Sequence, residues 1–354
     1  FSNTLHNLEK RGISTGFDFL NNEAGFGILM SLIPYDETYT FGRTFLVGLL
    51  NTLLVSFLGI ILATILGFII GVARLSNNWL IAKIATVYIE TFRNIPLLLQ
   101  ILFWYFAMLP LLPHPRQSVN FGEAFFLNSR GLYLPAPLFE SAFLWVLAAL
   151  FVAIIAVVIL VRWAHRRQAA TGQPFHTFWV SLAILVALPA AAFVITGMPL
   201  DWDLPELKGF NFRGGMTIIP ELAALLLALS IYTAAFIAEI VRSGIQAVSH
   251  GQTEAAYSLG LRPGKTLQLV IIPQAMRVII PQLTSQYLNL TKNSSLAAAV
   301  GYPDLVAVFA GTTLNQTGQA VEIIFMTMMV YLTISLLISL FMNWYNKKMA
   351  LVER

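Results

Sequence analysis

Long apolar stretches separated by short polar segments dominate this chain from residue 45 onwards. A helix needs roughly 20 apolar residues to cross a bilayer, because lipid offers no partner for unpaired backbone groups. Seven stretches meet or approach this length, at residues 45–73, 95–112, 140–161, 178–196, 220–240, 267–291 and 322–344. The second is short and is expected to begin earlier, near Ile84, and the sixth is interrupted by Pro273 and Pro281. The pattern predicts an all-α polytopic membrane protein.

The charges between the spans predict an orientation. Because seven spans alternate sides, the loops fall into two sets: one carries twelve Lys or Arg against four acidic residues, and the other seven against thirteen. Loops rich in Lys and Arg stay in the cytoplasm. We therefore expect residues 1–43 outside the cytoplasm and the C-terminus inside it. A start outside without a signal peptide leads us to expect one more membrane helix upstream of Phe1.

The same division predicts the organisation of the chain. Residues 44–112 form the first core spans, and residues 215–354 form a second part of the core with a cytoplasmic loop at 243–266. Between them lies an insertion, 113–214, with two extra spans that we expect to be peripheral. Its two outer loops are rich in Pro, Gly and aromatic residues and are expected to be ordered caps.

Composition agrees with a membrane protein and excludes several other classes. The chain is 57% hydrophobic and 11% charged, with a mean hydropathy of +0.75, whereas an average soluble domain is about 25% charged. The net charge of +4 comes from scattered bases without an aromatic-interleaved patch, so nucleic acid is not an expected partner. Cysteine is absent, and the five histidines are dispersed without metal-ligand spacing, so no metal site is predicted.

The cytoplasmic segment from Ser249 to Gly260 is predicted to form a short helix with both ends marked. Ser249 and Gln252 have the spacing of a capping box, Glu254 falls in the first turn, and Gly260 stops the helix. The helix carries a small apolar face made of Ala255, Ala256, Tyr257 and Leu259. Such a face suits the groove of a partner protein, although an ordinary interfacial loop helix has the same pattern.

The segment that follows, Gly260-Leu-Arg-Pro-Gly264-Lys265-Thr266, is similar to a phosphate-binding loop but fails as one. A P-loop needs four residues between its glycines and a preceding strand, and this segment has three residues and no strand. We therefore expect no nucleotide site in this chain, and we expect ATP to act on another chain.

The motif Glu254-Ala255-Ala256, with Gly260 four residues later, resembles the EAA loop of bacterial ABC importer permeases. Four further motifs resemble the polar amino-acid uptake branch of that family: Glu90-Thr-Phe-Arg93-Asn-Ile-Pro96, Ala238-Glu239-Ile-Val-Arg242-Ser-Gly244, Ile272-Pro273-Gln274-Ala275 and Lys292-Asn293-Ser294-Ser295-Leu296. The insertion makes the chain most similar to the larger permease subunit of general L-amino-acid transporters.

This resemblance implies a type I ABC importer in the bacterial inner membrane. Two permease subunits, here the chain and a paralogous permease, would form the pore for an amino acid. Two cytoplasmic ATPase subunits would bind ATP and magnesium, and a periplasmic binding protein would deliver the substrate. The residues expected to couple the chain to the ATPase are Gly251, Gln252, Glu254, Ala255, Ala256 and Gly260.

The cluster from Lys292 to Ser295 has two interpretations. In the first, the preceding span crosses the bilayer and the Lys292 ammonium reaches the outer interface; in the second, the helix breaks within the membrane and the cluster lines a water-filled path. The resemblance favours the second, in which Lys292 meets the substrate carboxylate and Asn293 its ammonium group. The substrate-path candidates are Gln286, Asn289, Lys292, Asn293, Ser294 and Ser295.

Other polar residues of the spans are given structural or gating roles. Glu239 and Arg242 have the spacing of a helical pair, and Glu90 and Arg93 share that spacing. Asn51 is expected to bond another helix. Two alternatives to an ABC permease, an ion-coupled secondary transporter or channel and an intramembrane enzyme, lack support because the spans carry almost no acidic residues away from their ends and no nucleophile or carboxylate pair.

Overall fold

The computed structural model describes residues 16–122, 124–209 and 211–349, so residues 1–15 of the predicted N-terminal segment and the C-terminal Arg354 lie outside it. Within the described residues, six helices are long and apolar enough to cross a membrane, and a bent helix pair makes a seventh candidate. The predicted polytopic helical fold is confirmed. In chain order the α-helices are α1 Phe41–Arg74, α2 Trp79–Asn94, α3 Leu97–Leu102, α4 Phe143–Thr171, α5 Thr177–Ile195, α6 Pro220–Gln246, α7 His250–Ser258, α8 Pro263–Thr266, α9 Ile272–Asn293, α10 Leu314–Thr317 and α11 Ala320–Met349.

Tighter and wider helical turns join several of these helices. Segments of π-helix extend α3, precede α9 and precede α10; 3-10 turns occur in the N-terminal segment, after α3 and its π-helix, before the first strand and after α9. The π-helical segments are Phe103–Met108, Leu267–Ile271 and Val306–Thr313, and the 3-10 segments are Asp18–Asn21, Leu109–Leu111, Pro115–Gln117 and Ser294–Val300.

The chain divides into two compact units. One, which we term the core unit, contains Phe1–Leu112 and Ile219–Arg354; the other, the inserted unit, is Pro113–Ile218. The inserted unit holds α4 and α5, which pack against each other, and its described residues also form eight short strands. The strands are β1 Val119–Phe121, β2 Phe125–Asn128, β3 Gly131–Leu134, β4 Ala136–Phe139, β5 Leu200–Asp203, β6 Glu206–Lys208, β7 Asn211–Arg213 and β8 Met216–Ile218.

All strand pairs in the inserted unit are antiparallel. Four strands form a sheet in the order β1-β2-β3-β8, while β4 pairs with β5 and β6 with β7. The Phe212 ring packs on Phe126 and Tyr133, with both centroid distances at 4.7 Å. Burial of three aromatic rings gives these short strands the packing that their few hydrogen bonds alone would not supply.

The core unit is centred on the close packing of α1 against α6. At Gly67 and Gly71, on one face of α1, an added Cβ would lie 2.5 Å from Ile237 Cγ2 and 2.6 Å from the Ala238 carbonyl oxygen, respectively. Small residues four apart let two membrane helices approach closely, and van der Waals contact then replaces the hydrophobic effect as the source of stability. The glycines of α1 therefore fix the distance between the two central helices.

The second predicted span is not a single helix beginning near Ile84. Instead α2 and the helix running from Leu97 to Leu111 meet at an angle of 106°. Ile95 adopts an extended conformation (φ −95°, ψ 127°) because the residue before a proline is disfavoured in the α region. The buried Gln100 amide donates to the carbonyls of Phe92 and Ile95 at 3.1 and 3.0 Å, which satisfies backbone groups freed by the bend.

The sixth span is not interrupted at its prolines. Pro273 lies just after the π-helical turn Leu267–Ile271, near the start of α9, and Pro281 lies inside the same continuous helix. The helical path widens to a π-helical turn before Pro273, tightens to a 3-10 turn at Ser294 and ends at Gly301 with a φ of 76°. Residues 301–319 then connect it to α11.

Candidate functional site

The predicted cytoplasmic helix exists as α7, but its first turn differs from the prediction. Ser249 precedes the helix without forming a side-chain capping bond, so the predicted capping box is wrong. The Gln252 side chain accepts a hydrogen bond from Gln274 of α9 at 3.3 Å and does not cap its own helix. Glu254 lies in the second turn, because the helix begins at His250, and it pairs with His250 at 3.1 Å.

The predicted end of α7 at Gly260 is confirmed. The Gly260 N–H donates to the Tyr257 carbonyl and the Leu261 N–H to the Ala256 carbonyl, at 2.9 and 3.1 Å. This pair of bonds is a Schellman motif, which requires a left-handed residue, and Gly260 has a φ of 75°. Nothing lies within 4 Å of the position of its absent Cβ, so glycine is needed here for backbone conformation alone.

The apolar face of α7 divides into a buried and an exposed part. Ala256 is buried against the chain's own core unit, whereas Tyr257 is 48% and Leu259 83% exposed. Ala255, Gly251 and Glu254 are also exposed. The helix is therefore anchored by Ala256 while it presents two large apolar side chains outward.

An ion-pair network joins α1, α2 and α6 at the end of the bundle from which α7 follows. The predicted Glu239–Arg242 pair is confirmed, with Arg242 Nε at 3.1 and 3.2 Å from the two carboxylate oxygens. Arg74, which the sequence interpretation missed, also pairs with Glu239 and lies 3.7 Å from Glu90. Glu90 and Arg93 do not form the analogous pair; the Arg93 guanidinium instead lies 5.2 Å above the centre of the Phe236 ring.

A polar cavity of about 320 Å³ opens beside this network, between α2, α6 and α9. Of the predicted residues it brings together Arg93, Glu239 and Gln286. It adds residues that the sequence interpretation did not single out: Phe236, Ile240, Ser243, Gln282 and Ser285. The signal that could have found Gln282 and Ser285 is helical spacing, since Gln282 lies one turn before Gln286 on α9 and Ser285 lies one turn after Gln282.

Gln282 and Gln286 begin a polar stripe along α9 that continues through Asn289 to Asn293, with spacings of four, three and four residues. Asn289 is exposed, and Gln286 and Asn293 are partly exposed. The buried residues of α9 are mostly apolar: Leu283 and Leu290 lie on the face adjacent to the stripe, whereas Ala275 and Ile279 precede the stripe along its own line. An amide stripe on the outer face of a membrane helix is costly against lipid, so it indicates contact with water or another protein.

The cluster from Lys292 to Ser295 lies at the end of α9. Lys292 is exposed and, with Ser295, Thr327 and Tyr331, lines a second cavity of about 360 Å³. Ser294 is buried and its hydroxyl donates to the Thr291 carbonyl at 2.7 Å. Thus Lys292 and Ser295 face open space, whereas Ser294 is turned into the protein.

Beyond this cluster, residues 301–319 are fastened to α1. The Asn51 amide, fully buried, donates to the carbonyls of Met30 and Pro303, each at 2.9 Å. Tyr302 donates to the Asn51 carbonyl at 3.0 Å, and the Leu305 N–H donates to the Thr52 hydroxyl at 3.0 Å. Asn51 therefore bonds two non-helical carbonyls and not another helix as expected.

Among the described residues, no group of three or more His, Cys, Asp or Glu could hold a metal ion.

Comparison with known proteins bears on the whole chain. A family model, binding-protein-dependent transport system inner membrane component, matches residues 59–351. The chain is 60% identical, over its whole length and 90% of the relative, to the putative amino-acid ABC transporter permease protein YhdX of Escherichia coli strain K12. It is 57% identical, over 99% of its length and 88% of the relative, to the general L-amino acid transport system permease protein AapQ of Rhizobium johnstonii.

The fold is also similar to a solved structure described as an amino acid ABC transporter with histidines. The TM-score is 0.51 at 21% identity, over 87% of this chain and 95% of that chain.

Proposed function

The chain belongs to the family of binding-protein-dependent transport system inner membrane components, and from this premise we propose that it is the permease subunit of an ATP-driven amino-acid importer. The resemblance to ABC importer permeases is confirmed, and the comparisons support it over an ion-coupled secondary transporter or channel. The observation that supports an amino acid as the substrate is the 60% identity, along the entire chain, to a relative named as a putative amino-acid permease.

In this proposal α7 is the coupling helix. The exposed Tyr257 and Leu259 side chains enter a groove of a separate ATPase subunit, which binds ATP and magnesium. The Schellman motif at Gly260 and the buried Ala256 hold the helix as a rigid element, so a displacement of the ATPase is passed to α6 and α9 rather than absorbed locally. Two ATPase subunits, a paralogous permease and a periplasmic binding protein complete the importer, whose C-terminus we place in the cytoplasm.

The cargo path follows the polar stripe of α9. Arg93 has no carboxylate of the described residues within 4.0 Å, and the network beside the cavity holds three arginines against Glu90 and Glu239. This excess of one positive charge suits the α-carboxylate of an amino acid, while the amide oxygens of Gln282 and Gln286 can accept from its ammonium group. Lys292 contributes a second cationic contact further along α9, at the cavity that it lines with Ser295.

The test is uptake by the assembled complex in proteoliposomes, with ATP inside, the binding protein outside and a mixture of labelled amino acids. Lys292→Ala is expected to lower uptake at least tenfold while the complex still assembles. Lys208→Ala, an exposed lysine of the inserted unit, is the matched control and should transport normally. Normal uptake by the Lys292 variant would remove Lys292 from the path.

A second experiment tests the coupling helix. Leu259→Glu places a charge at a position that is 83% exposed in this chain, so the fold should tolerate it, yet the ATPase should no longer copurify. Leu204→Glu makes the same change at an exposed leucine of the inserted unit and should retain the ATPase. Equal retention by both variants would contradict docking on α7.

A further inference from the structure

The α4–α5 hairpin of the inserted unit has the dimensions of a lipid-embedded element. The first charged residue of α4 is Arg162, so about 28 Å of the helix, at 1.5 Å per residue, is apolar. Helix α5 is 19 residues long and has no buried residue. Both lengths match a hydrocarbon thickness of about 30 Å. Helix α4 nevertheless continues for nearly three more turns, to Thr171.

That extension of α4 is basic on its exposed surface. Arg162 and Arg166 are exposed and lie one turn apart on the same face, with His165 beside them. Arg167 is held differently: its guanidinium lies 5.5 Å above the Trp163 ring and 5.9 Å above the Phe175 ring. Trp163 and Phe175 meet edge to face at 5.3 Å, so aromatic packing and Arg167 hold the turn of the hairpin together, whereas Arg162 and Arg166 are exposed.

These charges have no acidic counterpart. The sequence contains no Asp or Glu between Glu140 and Asp201, and no carboxylate among the described residues lies within 4.0 Å of Arg162 or Arg166. By contrast, two arginines of the core unit, Arg74 and Arg242, are paired with Glu239. The hairpin therefore presents a pair of guanidinium groups that is available to an external anion.

We propose that Arg162 and Arg166 bind the phosphate of an anionic membrane lipid at the turn of the hairpin. The apolar length places Arg162 at the edge of the hydrocarbon, and Arg166 lies about 6 Å further along the axis, at the depth of lipid phosphates. Trp163 and Trp179 are exposed at the same end, where tryptophans mark the interface. A guanidinium pair suits bidentate contact with phosphate oxygens.

The depth argues for a lipid rather than a soluble phosphate, because the hydrocarbon-facing surface continues directly into the basic one. This inference concerns the inserted unit and is independent of the cargo path along α9. A basic hairpin turn that only fixed the membrane topology would need its charges during insertion but would retain no particular lipid afterwards. The two roles therefore differ in what the folded protein binds.

The experiment uses the purified full-length permease in its assembled complex, reconstituted with an equimolar mixture of phosphatidylglycerol and phosphatidylcholine. Native mass spectrometry then measures the lipids that remain bound after mild detergent release. Wild-type protein should retain phosphatidylglycerol in preference to phosphatidylcholine. Each guanidinium near an anionic lipid surface is expected to contribute roughly a fivefold preference. In Arg162→Gln/Arg166→Gln, which removes both charges, the preference for phosphatidylglycerol should therefore fall by about thirtyfold.

Three controls keep the result decisive. Arg162→Lys/Arg166→Lys keeps the charge and should stay within severalfold of wild type. Lys347→Gln/Lys348→Gln removes two exposed charges at the end of α11, another spanning helix, and should leave most of the preference in place. Inorganic phosphate added to protein in pure phosphatidylcholine should not raise the unfolding temperature. A rise would identify a soluble phosphate as the ligand and would contradict the lipid proposal.

Unchanged phosphatidylglycerol retention in the glutamine variant would overturn the proposal, as would an equal loss in the α11 control. Accessibility of an introduced cysteine at Gln173 checks that the glutamine variant keeps its topology. If the topology of the glutamine variant inverts, the lysine variant, which keeps the charge, replaces it as the test. Phosphatidylglycerol retention within severalfold of wild type in the lysine variant supports the proposal, and loss of that retention contradicts it. ATP-dependent uptake in phosphatidylcholine alone should remain measurable in every variant, which separates this test from that of the transport function.

Discussion

Gly71→Ala tests whether α1 and α6 are held together by contact between their backbones. A methyl group at residue 71 would lie 2.6 Å from the Ala238 carbonyl oxygen and 2.8 Å from Val241 Cβ. Both obstacles are atoms that a rotamer change cannot move, so the two helices must separate. Gly59→Ala is the matched control, since it lies on the same helix and its methyl would meet the Leu290 side chain at 3.2 Å.

The magnitude follows from two opposed effects. Replacing glycine by alanine in the interior of a helix gains about 1 kcal/mol of intrinsic propensity, and both variants share this gain. Overpacking a close contact costs typically about 1–3 kcal/mol, and a backbone obstacle at residue 71 places the cost at the upper end. At residue 59 the terminal methyl groups of Leu290 need to yield by only a few tenths of an ångström. We expect Gly71→Ala to be less stable than Gly59→Ala by about 2 kcal/mol.

The measurement is the free energy of unfolding of the purified permease in one detergent, from denaturant titration of the two variants side by side. Helix propensity cancels in the difference, which then reports the steric conflict alone. Uptake in proteoliposomes follows the same order if α1 and α6 must stay in register during transport. Equal stability of the two variants would refute the close backbone approach and, with it, the role assigned to the glycines of α1.

Three further changes test other contacts. Asn51→Leu leaves two carbonyls without their buried donor and should cost about 2–4 kcal/mol in unfolding free energy, with loss of protection of residues 301–319 in hydrogen exchange. Glu239→Gln removes the carboxylate shared by Arg74 and Arg242; because these side chains are 19–27% exposed we expect about 1–3 kcal/mol, less than for a fully buried pair, measured by thermal unfolding. Gly260→Ala strains a residue at φ 75° by about 1–2 kcal/mol and should reduce binding-protein-stimulated ATP hydrolysis, whereas Gly260→Asn should reduce it less; identical rates would contradict a rigid coupling helix.

The sequence predicted the spans well, because hydropathy reports where a helix can lie in lipid. The prediction failed at the second span. A count of apolar residues does not show in which direction a helix runs, and the 106° bend depends on the backbone conformations of Ile95 and Pro96. The signal was present, since Ile95 precedes a proline and Gln100 lies where its amide can reach the freed carbonyls. The strands of the inserted unit were expected only as ordered caps, because runs of three or four residues have too little periodicity to identify.

For the candidate site, local spacing was enough for one pair and insufficient for the rest. Glu239 and Arg242 are three residues apart on one helix, and the predicted pair forms. Arg74 reaches the same carboxylate from 165 residues away, which no pattern along a single sequence reveals. Gly67 and Gly71 did carry a usable signal, two small residues four apart in an apolar helix, and it marks where α1 meets α6.

The polar stripe of α9 bears on what must surround this chain. Gln282, Gln286, Asn289 and Asn293 place amide groups along about three turns of a helix whose adjacent face is packed into the core unit, and Gln282 and Asn289 are exposed. An amide left facing hydrocarbon would lose hydrogen bonds worth about several kcal/mol. For the four amides together this cost is about as large as the net stability of an ordinary domain. A stable permease therefore needs either water or a second subunit along this face. The paralogous permease that we propose as partner would provide both, since each subunit would complete the wall of a hydrated path that neither encloses alone.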